Sequence, residues 1–293
     1  MVIKPNVDSD FRLPDGRRVA YALWGDPEGR PVMLFHGMAT SRLQFPDPSA
    51  AVDSGVLAVT VDRPGTGRSD PQPGHRMIDG AADVEALADE LGFDRFGVIG
   101  WSAGSVYAYA CAARMPDRLT GCAVTTSSAA LCYLYDDPAV LDALAGDDDR
   151  AVMAALKEGR ETAERLAAAD GEEWVRSIAA DPGQMLQGSD VGDEWFYEDA
   201  DLRRNMIESV LDGFRQGAVA LAPQWVAQLA PWGFRLEDLT IPVHTWCGAN
   251  DVTRPMELVR RLAERVPEHS ITVWDDVGHA GIAKYLRDVL AEL

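Results

Sequence analysis

A five-residue stretch, Gly100-Trp101-Ser102-Ala103-Gly104, limits what this chain can fold into more than any other feature. It follows a short apolar run, Phe96 to Ile99, and precedes a segment typical of a helix, Ser105 to Arg114. A Gly-x-Ser-x-Gly sequence between a strand and a helix predicts a nucleophile elbow, a sharp turn that lifts the serine hydroxyl above the sheet. The glycines leave room for neighbouring backbone to pass close. Because the pattern also arises by chance, it indicates a nucleophile only if other residues of the chain support that interpretation.

Length and charge restrict the class of protein. A chain of 293 residues is long enough for one large α/β domain, with or without an inserted subdomain. The formal net charge is −20, from 47 acidic against 27 basic side chains. Such a surface repels nucleic-acid phosphates and anionic lipid headgroups. We therefore expect a small-molecule substrate and neither a nucleic-acid nor a membrane partner, while the oligomeric state is left open.

The cysteines and the N-terminal residues indicate the compartment. The four cysteines form no C-x-x-C pair and have no metal-like spacing with histidine. Residues Met1 to Asp10 lack the basic flank and apolar core of a secretory signal. We expect reduced thiols, a cytoplasmic location, and neither a metal nor an organic cofactor. The cysteines are Cys111, Cys122, Cys132 and Cys247.

Short apolar runs alternate with helical patterns in both halves of the chain, which predicts a mostly parallel sheet with helices on both faces. One helix is expected from Asp79 to Leu91, another from Pro255 to Val266, and a last one ending at Leu293. The predicted strands are Arg17–Trp24, Pro31–Phe35, Val56–Val61, Arg95–Gly100, Leu119–Thr126, Ile241–Cys247 and Ser270–Trp274.

The segment between these halves differs in composition. It is strongly acidic and helical in pattern, with Gly146, Gly171 and Gly188 among its breaks. The sequence therefore predicts an α/β core at 1–132 and 236–293, and a helical cap at 133–235. A helical insert that splits an α/β domain usually roofs an active site.

A serine nucleophile needs a base and a carboxylate that orients it. Of the five histidines, only His279 follows the last predicted strand, at the carboxyl edge where catalytic groups of α/β sheets collect. Asp251 follows the strand before it and is the expected acid, although a turn or helix-capping role would also explain it. Asp275 and Asp276 lie too close to His279 in sequence to reach around its ring easily.

Stabilising a developing oxyanion needs two backbone N–H groups. One is expected from Ala103, directly after the nucleophile. The other is expected from Met38, because His36-Gly37 ends the strand at Phe35 and the glycine permits a tight turn.

Taken together, the order Ser102, Asp251, His279, the elbow and His36-Gly37 resemble the α/β-hydrolase superfamily. The stretch from Asp62 to Asp70 also resembles that family's Asp-x-x-Gly-x-Gly-x-Ser turn, for which the resemblance implies a structural role. Dehalogenases and soluble epoxide hydrolases of this fold carry Asp in place of Ser102, so the resemblance disfavours both. It also disfavours prolyl iminopeptidases and haloperoxidase-like esterases, whose residues after the first histidine or around the nucleophile differ.

Aromatic residues in and near the predicted cap have two interpretations: an apolar pocket roof, or the cap's own core. Most are expected in that core. The residues expected to line the substrate pocket are Trp101, Trp195, Phe196 and Trp225.

These observations predict a serine hydrolase that cleaves a small, mostly apolar ester or lactone through an acyl-enzyme. Two alternatives remain open at this point. One is a C–C bond hydrolase of β-diketone type with the same triad, and the other is a non-hydrolytic biosynthetic or ligand-binding member of the fold.

Overall fold

The computed structural model describes residues 3–38, 40–127, 147–186 and 191–293. In these ranges eight strands form one sheet in the order β1-β2-β4-β3-β5-β6-β7-β8. The β1–β2 and β2–β4 pairings are antiparallel, and the β3–β4, β3–β5, β5–β6, β6–β7 and β7–β8 pairings are parallel. The strands are β1 Val7–Arg12, β2 Arg18–Gly25, β3 Arg30–Phe35, β4 Val56–Val61, β5 Phe96–Trp101, β6 Leu119–Thr125, β7 Val243–Gly248 and β8 His269–Trp274.

Among the described residues, five α-helices follow or connect these strands, and five more lie between β6 and β7. The first group is α1 Pro48–Asp53, α2 Met77–Glu90, α3 Ser105–Arg114, α9 Met256–Ala263 and α10 Gly281–Ala291. The second group, which we call the insert, is α4 Asp147–Leu156, α5 Arg160–Ala180, α6 Glu194–Glu198, α7 Ala200–Gly213 and α8 Ala218–Leu229.

The apolar core lies on both faces of the sheet. On one face α2, α3 and α9 bury side chains such as Leu87 and Leu262 against the strands. On the other face α1 and α10 bury side chains such as Ala50 and Leu286. A strand that is covered on both faces is typically apolar along its whole length. Strand β5 fits this, since it is buried at every position. The predicted α/β-hydrolase fold with helices on both faces is therefore confirmed.

The insert has its own small core, and buried salt bridges of Arg42 connect it to the sheet. Helices α5 and α8 pack through Ala163, Ala167 and Val226. The guanidinium of Arg42 lies 2.8 Å from Asp62 of the β4 turn and 2.6 Å from Asp212 of α7. Burying this cation is tolerated because carboxylates compensate its charge on several sides.

The element bounds differ from the sequence prediction by small shifts. Strand β7 begins at Val243 and not at Ile241, since Pro242 has no N–H to donate to a sheet ladder. Strand β1 and helix α1 were not predicted, because β1 is mostly exposed and has no apolar run. Several predicted features lie outside the described residues: the first residue of the cap at 133, the breaks Gly146 and Gly188, and Cys132.

Within the described ranges, none of the helices combines the length and the apolar character that crossing a membrane requires.

Candidate active site

Ser102 occupies a strained turn directly after β5. Its φ is +53°, in the left-handed region that a residue with a side chain rarely adopts. The glycines around it are needed for close packing. A β-carbon on Gly104 would lie 2.1 Å from the carbonyl oxygen of Phe35, and one on Gly100 would lie 2.5 Å from Cα of Ser105. The stretch therefore has the geometry of a nucleophile elbow.

The carboxyl ends of β7 and β8 bring Asp251 and His279 together. Nδ1 of His279 lies 2.9 Å from Oδ2 of Asp251, whose side chain has no exposed surface. The other oxygen, Oδ1, accepts a hydrogen bond of 2.6 Å from the Arg254 N–H. The imidazole keeps about a fifth of its surface exposed. One ring nitrogen is thus held by a buried carboxylate, while the ring itself stays accessible.

Two contacts place two segments beside the elbow: residues 276–280, which we call the histidine turn, and residues 36–38, which we call the Met38 loop. The indole N–H of Trp101 donates to the His279 carbonyl at 3.2 Å. A β-carbon on Gly37 would lie 3.5 Å from Cβ of Ser102. Four residues expected to act together, Ser102, His279, Asp251 and Met38, therefore follow strands whose ends meet at this edge of the sheet.

The peptide between Gly37 and Met38 is oriented by its carbonyl. The Arg63 guanidinium donates to the Gly37 oxygen through Nη2 at 2.9 Å, and Nδ1 of His36 lies 2.9 Å from the same oxygen. In a trans peptide the N–H points opposite to the C=O. The Met38 N–H therefore points away from Arg63 and His36.

Arg63 is a buried cation without a carboxylate partner among the described residues, in contrast to Arg42. Its Nε and Nη1 have no hydrogen-bond partner there. Burial lowers the pKa of the Arg63 guanidinium to about 10, and neighbouring Tyr107 and Asp62 offset only part of that. The sequence does not single out Arg63, because the whole turn from Asp62 to Asp70 resembles a structural turn of the family.

Asp193, a residue of the insert, contacts the histidine turn. Its Oδ1 accepts the Gly278 N–H at 2.8 Å and its Oδ2 accepts the Ala280 N–H at 2.8 Å. Burial raises the pKa of this carboxyl group, while the two N–H donors and the nearby His279 lower it. No sequence signal indicated this contact, because an aspartate before a short helix is typical of an N-cap.

The four expected pocket residues fall into two places. Trp101 and Phe196 are buried and meet edge to face with ring centroids 6.5 Å apart, and half-buried Trp195 packs on Phe196 at 5.8 Å. Trp225 lies elsewhere, with its indole N–H bonded to Asp149 at 2.9 Å.

Trp225 borders a small cavity between the Met38 loop and the insert. The cavity measures about 20 Å³, which is room for one water. Its lining is largely apolar and includes Met38, Arg63, Trp174, Phe214, Leu221 and Trp225.

Asp276, a carboxylate close to His279 in sequence, binds side chains of the following helix. It accepts hydrogen bonds of 2.6 Å from Lys284 and from Tyr285, which lower the pKa of the carboxyl group. Among the described residues, no cluster of three or more His, Cys, Asp or Glu side chains is arranged to hold a metal ion.

Comparison with known proteins shows the family to which this fold belongs. A family profile described as alpha/beta hydrolase fold matches residues 30–283. A proline iminopeptidase of Xylella fastidiosa is 34% identical over 116 residues, which cover 37% of this chain and 36% of that protein. The match thus spans little more than a third of that relative's length.

Two solved structures share the fold over nearly their full length. An esterase from Exiguobacterium antarcticum has a TM-score of 0.66 at 16% identity and covers 97% of each chain. An enol-lactonase from Burkholderia xenovorans has a TM-score of 0.68 at 17% identity, and covers 97% of this chain and 100% of that one.

Proposed function

Because this chain belongs to the alpha/beta hydrolase fold family, we propose that it is a serine hydrolase acting on a small, mostly apolar carboxylic ester or lactone. Its nucleophile is Ser102, its base is His279 and its acid is Asp251. The backbone N–H groups of Met38 and Ala103 form the oxyanion hole. The insert, within a unit bounded at 133 and 235, acts as a cap over the core formed by 1–132 and 236–293.

The contact between His279 and Asp251 is the single observation that carries this proposal. A buried carboxylate bound to Nδ1 selects the tautomer whose Nε2 can accept a proton. His279 then takes the proton of the Ser102 hydroxyl as Oγ attacks the carbonyl carbon. Asp251 stabilises the imidazolium that results, and its second oxygen is already satisfied by Arg254.

Negative charge develops on the carbonyl oxygen as Ser102 attacks. The Met38 N–H points away from the Arg63 side of its peptide, and Gly37 of the same peptide packs near Ser102. A guanidinium bound to the carbonyl of a peptide also polarises that peptide's N–H and makes it a stronger donor. Collapse of the intermediate releases the alcohol, protonated by His279, and water activated by the same histidine then frees the acyl group.

The surroundings of Met38 support an apolar acyl group. The small cavity there is lined by Trp174, Phe214, Leu221 and Trp225 among others, and apolar lining with a few polar groups is typical of small-molecule sites. Because the cavity holds only one water, an acyl group would enter by displacing these side chains. The net charge of −20 supports a small substrate over a nucleic acid. A cytoplasmic location stays a prediction.

A substrate panel tests the proposal. It contains p-nitrophenyl esters of increasing acyl length, two γ-lactones, a β-diketone and proline p-nitroanilide, each measured with wild-type protein and with Ser102→Ala. We expect turnover of esters or lactones that Ser102→Ala abolishes. Turnover of the diketone alone or of the anilide alone would overturn the substrate class, and activity retained by Ser102→Ala would overturn the mechanism.

A further inference from the structure

Asp193 holds the histidine turn from both sides. Its two carboxylate oxygens accept the N–H groups of Gly278 and Ala280, which flank His279 in sequence, at 2.8 Å each. The side chain is fully buried. The Trp101 indole binds the carbonyl of His279 itself. The backbone on each side of the histidine is therefore fixed by one residue of the insert.

The common role of an aspartate at this position does not explain Asp193. It is the N-cap residue of α6, yet its side chain makes no capping hydrogen bond to that helix. Helix N-caps normally use the side chain for this purpose. Both oxygens are instead directed to residues more than 80 positions away in sequence.

Gly192 gives independent evidence that the insert is docked here. Its φ is +91°, and a β-carbon at this position would lie 2.3 Å from the Asp276 carbonyl oxygen. The nearest atoms are backbone, which cannot move aside as a flexible side chain could. The insert backbone therefore contacts the turn that leads to His279, with no room for a side chain between them.

We propose that Asp193 is a positioning residue for His279, supplied by the insert, so that the histidine is aligned for proton transfer only while the insert is docked on the 276–280 turn. This inference rests on the proposed function, since it assigns Asp193 a role through His279. The alignment matters because misplacing a catalytic group by about 1 Å can cost about 10²-fold in rate.

The test compares Asp193→Asn with Asp181→Asn by ester hydrolysis. An asparagine keeps the shape but replaces one acceptor oxygen by an NH₂ group, which then faces a backbone N–H. Asp181 is a matched control, since it also lies in the insert and accepts a backbone N–H, from Gly183 at 3.0 Å, but is exposed. We expect Asp193→Asn to lower kcat by about 10- to 100-fold, with KM changed less than about threefold, and Asp181→Asn to change neither.

A double-mutant cycle separates positioning from general damage. If Asp193 acts through His279, Asp193→Asn should have almost no effect on the residual activity of a His279→Ala protein. Equal loss in both backgrounds, or wild-type kcat in Asp193→Asn, would overturn the inference. If Asp193→Asn does not fold, Asp193→Glu, which keeps the charge but moves the oxygens, carries the same cycle with the same two outcomes. Wild-type activity in His279→Ala alone would instead overturn the proposed function.

Discussion

Oδ2 of Asp251 lies 2.9 Å from Nδ1 of His279, and the carboxylate has no exposed surface. Its other oxygen is bound by the Arg254 N–H, so the side chain cannot rotate without losing a hydrogen bond. This arrangement fixes the position of the ring, and under the proposed function it leaves Nε2 as the nitrogen that accepts the proton of Ser102.

Replacing Asp251 by asparagine should therefore lower kcat by about 10³- to 10⁴-fold, because an amide can stabilise the wrong tautomer and cannot stabilise an imidazolium. Steady-state kinetics on the best ester of the panel measures this. Asp275→Asn, at an exposed carboxylate four residues before His279, should keep wild-type kinetics. Loss of activity in Asp275→Asn, with Asp251→Asn unaffected, would contradict the assignment of the acid.

Replacing Arg63 should lower activity without lowering thermal stability. Arg63→Met removes the donor to the Gly37 carbonyl, so we expect kcat to fall by about 10²-fold, comparable to the loss of one oxyanion donor. It also removes a buried cation that lacks a carboxylate partner in the described structure, so Tm should not fall. Arg76→Met, at an exposed arginine, is the control. A parallel loss of Tm and kcat would show that Arg63 is only structural.

Gly104→Ala should prevent the elbow from forming. The new β-carbon would lie 2.1 Å from the Phe35 carbonyl oxygen, which is backbone of β3 and cannot move without distorting the sheet. We expect a loss of several kcal/mol of unfolding free energy, measured by urea denaturation. Gly16→Ala is the comparison: Gly16 has positive φ but open space around it, so the cost should be only about 1 kcal/mol. Equal costs would show that the predicted clash is absent.

Stability should decrease as the pH falls from about 6.5 to about 4. Burial lowers the pKa of His75 from 6.5 to about 4, so the unfolded chain binds a proton in this range that the folded protein does not. The folded state then loses up to about 3 kcal/mol from this residue. Burial also lowers the pKa of His36, which adds in the same direction.

The substitution His75→Asn tests this, because an asparagine keeps a side-chain donor for the Gln72 carbonyl but has no titrating group. His75→Asn should thus flatten part of the decline in Tm between these pH values, and His269→Asn, at an exposed histidine, is the control. An identical pH dependence in wild-type and His75→Asn proteins would contradict the assignment.

The local patterns of the sequence were enough to predict the fold and the meeting of Asp251 with His279. Gly100-Trp101-Ser102-Ala103-Gly104 needs both a strand before it and a helix after it, and a histidine after the last strand must lie at the same sheet edge. Such features depend on neighbours in sequence or on the order of strands.

The contacts of Asp193 and Arg63 could not be predicted in this way. Asp193 contacts residues more than 80 positions away from within a segment whose docking is set by tertiary packing. In the part of the chain that the structure describes, no carboxylate pairs with Arg63, and only the folded arrangement reveals this. The positions of Trp225 and Phe196 could not be predicted either. Both are aromatic residues of the same predicted cap, yet Phe196 packs on Trp101 and Trp225 binds Asp149.

In the proposed mechanism Ser102 forms a covalent intermediate with the substrate's acyl group. Treating the protein with a fluorophosphonate and measuring intact mass and tryptic peptides tests this most directly, with Ser102→Ala as the control. We predict one adduct per chain, on the peptide that contains Ser102, and none in the variant. An adduct at another residue, or no adduct in the folded wild-type protein, would contradict the account.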